Sequence, residues 1–110
     1  MSDCTLLKQG FQAFSALTAL IGDCSNSNYF SNDLGGRLTK IDLMGAMWAN
    51  NLQHTITTTI PTQIGSLDQL RYLNLASFGL SGAIPDNLFT LPLTSLYLGI
   101  MLSTLRFQPN

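Results

Sequence analysis

The chain has 110 residues, which is enough for one domain with one hydrophobic core and too few for two ordinary domains. Apolar residues make up 45% of the chain and charged residues only 10%, so Ser, Thr, Asn and Gln supply most of its polarity. Five basic and six acidic residues give a net charge of −1, which offers no electrostatic basis for binding nucleic acid or an anionic membrane.

The first predicted element is an amphipathic helix near the N-terminus. Six residues are spaced to share one helix face: Asp3, Leu6, Leu7, Phe11, Phe14 and Leu17. The apolar run from Phe11 to Ile21 has the length of a signal-peptide core, but it has an acidic residue before it and no clear cleavage motif after it. We therefore interpret it as part of a folded helix. It is also shorter than the roughly 20 apolar residues of a transmembrane helix, so no membrane span is expected.

Two cysteines, Cys4 and Cys24, flank this helical segment, and each follows an aspartate. They could close one disulfide, which would contribute roughly 3 kcal/mol by restricting the unfolded chain and requires an oxidising compartment. The alternative is two unrelated buried thiols in a cytosolic protein. We predict the disulfide, and with it a Cα separation below about 7 Å.

The rest of the chain contains an internal repeat. Three leucines recur 23 residues later, since Leu70, Leu73 and Leu75 correspond to Leu93, Leu96 and Leu98. Four further positions recur at a shift of 24, since Ile60, Pro61, Ile64 and Leu67 correspond to Ile84, Pro85, Leu88 and Leu91. Two independent blocks with almost the same period indicate a repeat architecture.

Each repeat predicts one strand and one returning segment. Leu73 and Leu75 alternate with polar residues, which is typical of a short half-buried strand. Pro85 and the following leucines suit a short helical turn. One such unit cannot bury its apolar face alone, whereas stacked copies can. We therefore predict parallel strands near residues 40–44, 72–76 and 95–99, with four buried leucines: Leu73, Leu75, Leu96 and Leu98.

The segment from Leu70 to Leu91, LRYLNLASFGLSGAIPDNLFTL, resembles the plant-type leucine-rich repeat, LxxLxLxxNxLxGxIPxxLxxL. Such repeats occur in receptor-like kinases, receptor-like proteins and polygalacturonase inhibitors. The resemblance implies an α/β leucine-rich repeat solenoid, with short parallel strands on one face, helical or 3₁₀ turns on the other, and an N-terminal capping helix. Residues 1–36 resemble the family's N-terminal cap. Residues 37–110 would hold about three repeats, the first with an insertion and the last truncated.

Two features depart from the family pattern. Leu43 and Ile60 are 17 residues apart, whereas Leu75 and Ile84 are 9 apart, so extra residues should bulge out of the first repeat. The β-branched residues of segment 54–60 could form a short strand there. The position at which the family has Asn is occupied by Ala46, Phe78 and Met101.

A stacked parallel sheet would present outward side chains on one face, and we predict six of them as partner-binding residues: Lys40, Asp42, Tyr72, Asn74, Ser95 and Tyr97. Aromatic anchors dominate the energetics of many interfaces, so a protein or peptide ligand is expected. By the 23-residue shift, Tyr72 and Tyr97 should be diagonal neighbours on adjacent strands. Trp48, in a predicted irregular loop, is the alternative anchor.

No catalytic, cofactor or metal site is predicted. The single histidine, His54, has no second ligand at a metal-binding spacing, and no motif of a nucleophilic hydrolase is present. The resemblance implies a non-catalytic protein-binding module, extracellular or at the cell surface, although the chain has no clear signal peptide. Two alternatives remain open: an ectodomain fragment of a leucine-rich repeat receptor-like kinase, or a truncated gene product without independent function.

Overall fold

The computed structural model describes residues 2–52, 56–76 and 78–98. The chain begins with two short helices, α1 (Asp3–Gly10) and α2 (Ser15–Ile21), so the prediction that the residues from Asp3 to Leu17 share one helix is wrong. The interruption lies at Phe11, whose ring is fully buried and packs against Phe78 with 5.4 Å between the ring centroids.

Within the described residues, six short strands form two sheets. They are β1 (Phe30–Asn32), β2 (Leu38–Asp42), β3 (Thr57–Thr59), β4 (Tyr72–Asn74), β5 (Gly79–Ser81) and β6 (Ser95–Tyr97). The larger sheet has the strand order β1-β2-β4-β6, and β3 pairs with β5 in the smaller one. Strand β1 runs antiparallel to β2, and the other three pairs are parallel.

The parallel pairing predicted for the three repeated segments is confirmed. Strand β2 pairs with β4, β4 pairs with β6, and Tyr72 lies opposite Ser95 as the 23-residue shift requires. Strand β2 has the predicted length of five residues but lies two residues earlier, since it ends at Asp42 and Leu43 begins a helix. Strands β4 and β6 are shorter than predicted, with three residues each. Gly99, at the end of the third predicted strand, lies outside the described residues.

The segments that follow β3 and β5 are 3₁₀ helices, Thr62–Ser66 and Asp86–Thr90. A proline precedes each of them, Pro61 and Pro85, because the fixed φ of proline favours the entry into a helical turn. The helical turn predicted after Pro85 is thus confirmed. The strand predicted within residues 54–60 is also found, as β3.

Close packing holds these turns together. The Asn87 side-chain amide donates to the carbonyl of Thr62 at 3.1 Å, and the same side chain lies where a Cβ atom on Gly65 would be. A Cβ atom on Gly10, at the end of α1, would lie 2.7 Å from the Cβ atom of Pro61. Only glycine permits both approaches, so α1 and the two 3₁₀ helices form one continuous stack.

The long connection between β2 and β3 contains a third helix, α3 (Leu43–Ala49). Its N-cap is Asp42, whose Oδ1 accepts the backbone N–H of Gly45 at 2.8 Å. The expected bulge is therefore a helix, stabilised by burial of three of its side chains: Leu43, Ala46 and Met47. Trp48 lies in this helix and not in an irregular loop, and it is 52% exposed.

A hydrophobic core lies beneath the larger sheet. Leu73 and Leu75 are fully buried and Leu98 is 9% exposed, as predicted. Leu96 is only partly buried, so the prediction of its burial is wrong. The reason is position: β6 ends the strand order, and no further strand among the described residues covers Leu96. Phe78, which stands where the resembled family has Asn, is buried in the same core.

Two connections tie α1 to the rest of the fold. Asp3 is 4% exposed, and its Oδ2 accepts the Nε–H of Arg37 at 2.9 Å and the backbone N–H of Leu38 at 3.0 Å. The hydrogen bond to Asp3 is the main reason why the pKa of Arg37 is raised. Cys4 and Cys24 lie at disulfide distance with a Cα separation of 5.8 Å, within the predicted limit.

Candidate binding face

The six predicted partner-binding residues fall on two rows that cross the larger sheet. The register places Lys40, Tyr72 and Ser95 opposite one another in the first row, and Asp42, Asn74 and Tyr97 in the second. Because side chains alternate between the two faces of a strand, both rows share one face. The buried Leu73 lies between the rows and points the other way.

The two tyrosines of this face are in contact. Tyr72 and Tyr97 have ring centroids 5.6 Å apart with a tilt of 51° between the planes, so the predicted diagonal contact is confirmed. Tilted pairs at this distance are favourable because the edge of one ring meets the face of the other. Tyr97 is 50% exposed, whereas Tyr72 is partly buried between its neighbours.

The positively charged side chain of Lys40 lies next to the tyrosine pair. Its ammonium nitrogen lies 5.5 Å from the centroid of the Tyr72 ring, within the range of a cation–π interaction. Among the described residues, no carboxylate forms an ion pair with this ammonium group. We call the three residues Lys40, Tyr72 and Tyr97 the tyrosine strip.

Two of the predicted binding residues are used within the fold. The carboxylate of Asp42 caps α3 through the N–H of Gly45. Asn74 is 5% exposed, and its Oδ1 accepts the N–H of Ala76 at 3.1 Å. The expectation that Asn74 presents an open side chain is therefore wrong, because its amide stabilises the turn after β4. Asn74 is thus buried, whereas Asp42 remains partly exposed with its carboxylate oriented by α3.

The remaining positions frame the strip. Ser95 is partly buried beside Tyr72. Ser31 of β1 lies opposite Lys40 and is exposed, so it extends the first row to a fourth strand. Ser31 was not among the predicted binding residues, because β1 has only three residues and belongs to no repeat, which leaves too little periodicity to detect.

A second surface feature lies at the β6 end of the molecule. A groove of about 280 Å³ is lined mainly by leucines and by Phe89, together with Thr94 and Ser95. It is open, and its lining includes the partly buried Leu96. None of the described residues that line it is charged, so the polar side chains that could orient a ligand there are Thr94 and Ser95.

We also searched the described part of the chain for side chains that could form a metal site. Within residues 2–52, 56–76 and 78–98, no three His, Cys, Asp or Glu side chains are grouped as a metal site would require. His54 lies outside these ranges. Among the described helices, none is long and apolar enough to cross a membrane.

We compared the chain with known protein families, curated proteins and solved structures. The chain matches no protein-family model, and it shows no significant similarity to a curated protein or to a solved structure.

Proposed function

We propose that this chain is a short leucine-rich repeat solenoid that acts as a non-catalytic protein-binding module. Two observations support the repeat assignment: the 23-residue shift in the sequence, and the parallel pairing of β2, β4 and β6, in which β4 and β6 have the register that this shift requires. Repeat folds of this kind mostly present an extended face for recognition. The proposed partner is a protein or peptide.

The observation that carries the proposal is the tyrosine strip. A tyrosine pair with one ring half exposed is typical of interfaces, where Tyr is enriched and supplies a large contact area at low entropic cost. The strip is also held in place, because each residue of the trio contacts the next. A preorganised surface loses less side-chain freedom on binding.

We place the module outside the cell or at the cell surface. The supporting observation is the disulfide-distance pair Cys4 and Cys24, which is compatible with an oxidising compartment.

Selection of peptides from a display library on the oxidised protein tests the function. We expect the selected peptides to lose about 2 kcal/mol or more of binding free energy, roughly 30-fold in Kd, when both Tyr72 and Tyr97 are replaced by Ala. The fold should persist, because both rings lie on the outer face, and circular dichroism should show only a small decrease in Tm from the lost ring contact.

Two control variants locate the binding surface. Leu34→Ala removes a fully exposed leucine outside the sheet and should leave binding unchanged. Trp48→Ala removes the exposed aromatic residue of α3. Peptides that bind the double Tyr variant normally, but lose affinity for Trp48→Ala, would move recognition to α3. A library that yields no peptide would favour a gene product without a binding function.

A further inference from the structure

The charges of the candidate face are not equivalent. Lys40 and Asp42 carry opposite charges, but the Asp42 carboxylate is turned away from the tyrosine strip toward the start of α3, where its Oδ1 accepts the Gly45 N–H. A Cβ atom on Gly45 would lie 2.7 Å from the Asp42 Oδ2, so the whole carboxylate group is turned toward that backbone. Lys40 has no such carboxylate partner among the described residues. The strip therefore offers one positive charge to a ligand.

The position of this charge relative to the aromatic rings limits the shape of a ligand. The Lys40 ammonium nitrogen lies 5.5 Å from the centroid of the Tyr72 ring, and the centroid of the Tyr97 ring lies 5.6 Å from that of Tyr72. The separation of the ammonium from the Tyr97 ring cannot exceed these two distances combined. In an extended peptide, side chains two residues apart point to the same side and are about 6.7 Å apart. Such a pair can reach both ends of the strip.

We propose that the tyrosine strip recognises an extended acidic peptide in which an Asp or Glu lies two residues from an aromatic side chain. This inference rests on the proposed function and names its partner. The carboxylate pairs with the Lys40 ammonium, while the aromatic side chain packs on the exposed half of Tyr97. A single lysine suits a single carboxylate. A polyanion such as nucleic acid would find too little positive charge on a chain of net charge −1.

Titration with defined peptides tests the inference. The probe is acetyl-Gly-Ser-Asp-Ser-Phe-Ser-Gly-amide, followed by nuclear magnetic resonance of the backbone amides. A second peptide carries Asn in place of Asp, and a third has Asp and Phe adjacent. We expect the first peptide to bind best and the Asn peptide to bind about fivefold more weakly, which is the upper range for one exposed ion pair. The adjacent arrangement should bind as weakly as the Asn peptide.

Matched variants assign the charge effect to Lys40. Lys40→Gln should abolish the preference for Asp over Asn, and Lys40→Arg should keep it. Lys8→Gln is the matched control, since it removes the same charge from α1 and should leave the preference intact. Raising the salt concentration should reduce the Asp preference in the wild-type protein and leave binding of the Asn peptide unchanged.

The outcomes separate the inference from the proposed function. Equal binding of the Asp and Asn peptides overturns the inference, as does an Asp preference that survives Lys40→Gln. If library-selected peptides still depend on the two tyrosines, the proposed function stands without it. Selected peptides that ignore both the tyrosines and Lys40 overturn both proposals.

Discussion

At the scale of single residues, successive side chains of β4 alternate between the hydrophobic core and the candidate binding face. Leu73 is fully buried beneath the sheet, while Tyr72 before it lies on the outer face against Tyr97. Neighbours in the sequence therefore have opposite roles, because successive side chains of a strand point to opposite sides. Substitutions one residue apart should affect different measurements.

Leu73→Ala should destabilise the protein by roughly 2–5 kcal/mol, because it removes a fully buried side chain and leaves a cavity. Urea unfolding measures the loss. Leu34→Ala is the control of equal chemistry, and it should change stability by less than about 0.5 kcal/mol because Leu34 is fully exposed. Leu96→Ala should fall between the two, since Leu96 is partly buried. Similar costs for all three leucines would contradict the burial pattern.

At the scale of elements, glycines decide how closely the turns stack. The two 3₁₀ helices approach so closely that the side chain of Asn87 fills the space beside Gly65, and its amide bonds to the carbonyl of Thr62. The two helices occupy equivalent positions in the sequence repeat, at a shift of 24 residues. The closeness of their approach depends on a missing side chain on one helix and a short polar one on the other.

Gly65→Ala should therefore cost roughly 1–3 kcal/mol, the usual penalty for overpacking. Replacing Asn87 by Ala as well should recover part of this cost, because it vacates the contested space, so the double variant should be less destabilised than the sum of the single ones. Unfolding by urea measures all three. Gly35→Ala is the control, since the nearest atom to a Cβ there is at ordinary contact distance. Strictly additive costs would show that the two sites do not interact.

Across the whole molecule, long-range connections hold the N-terminal helices against the sheet. Asp3 accepts hydrogen bonds from Arg37 and from the first residue of β2, and Cys4 in the next position lies at disulfide distance from Cys24. Both connections originate in the first turn of α1, so loss of either should loosen the same helix.

Replacing both Cys4 and Cys24 by Ser should lower the Tm by at least about 10 °C, because a bridge across this loop contributes roughly 3 kcal/mol. A thermal melt of the oxidised protein measures the change. Dithiothreitol should lower the Tm of the wild-type chain to that of the variant and leave the variant unaffected. Titration of two free thiols in the denatured, oxidised protein would contradict the disulfide.

Local patterns in the sequence were sufficient to predict the repeated part of the fold. A constant shift of leucines specified the register of β4 and β6, because parallel strands of successive repeats pair equivalent positions. Proline followed by spaced leucines predicted the second 3₁₀ helix. The contact between Tyr72 and Tyr97 followed from the same shift, since register and pleat together determine which outward side chains are neighbours.

Features that do not follow the repeat period were decided only by the tertiary structure. The N-terminal helix is interrupted at Phe11, whose ring is buried against Phe78, a residue distant in the sequence. The sequence by itself determined which side chains share the candidate face. Which of them are free for a ligand was decided by packing and hydrogen bonds: Asp42 is held by α3 and Asn74 by the turn after β4, while Lys40 has no ion-pair partner among the described residues. The physical reason is that a polar side chain bonds to whichever group the folded chain brings within reach.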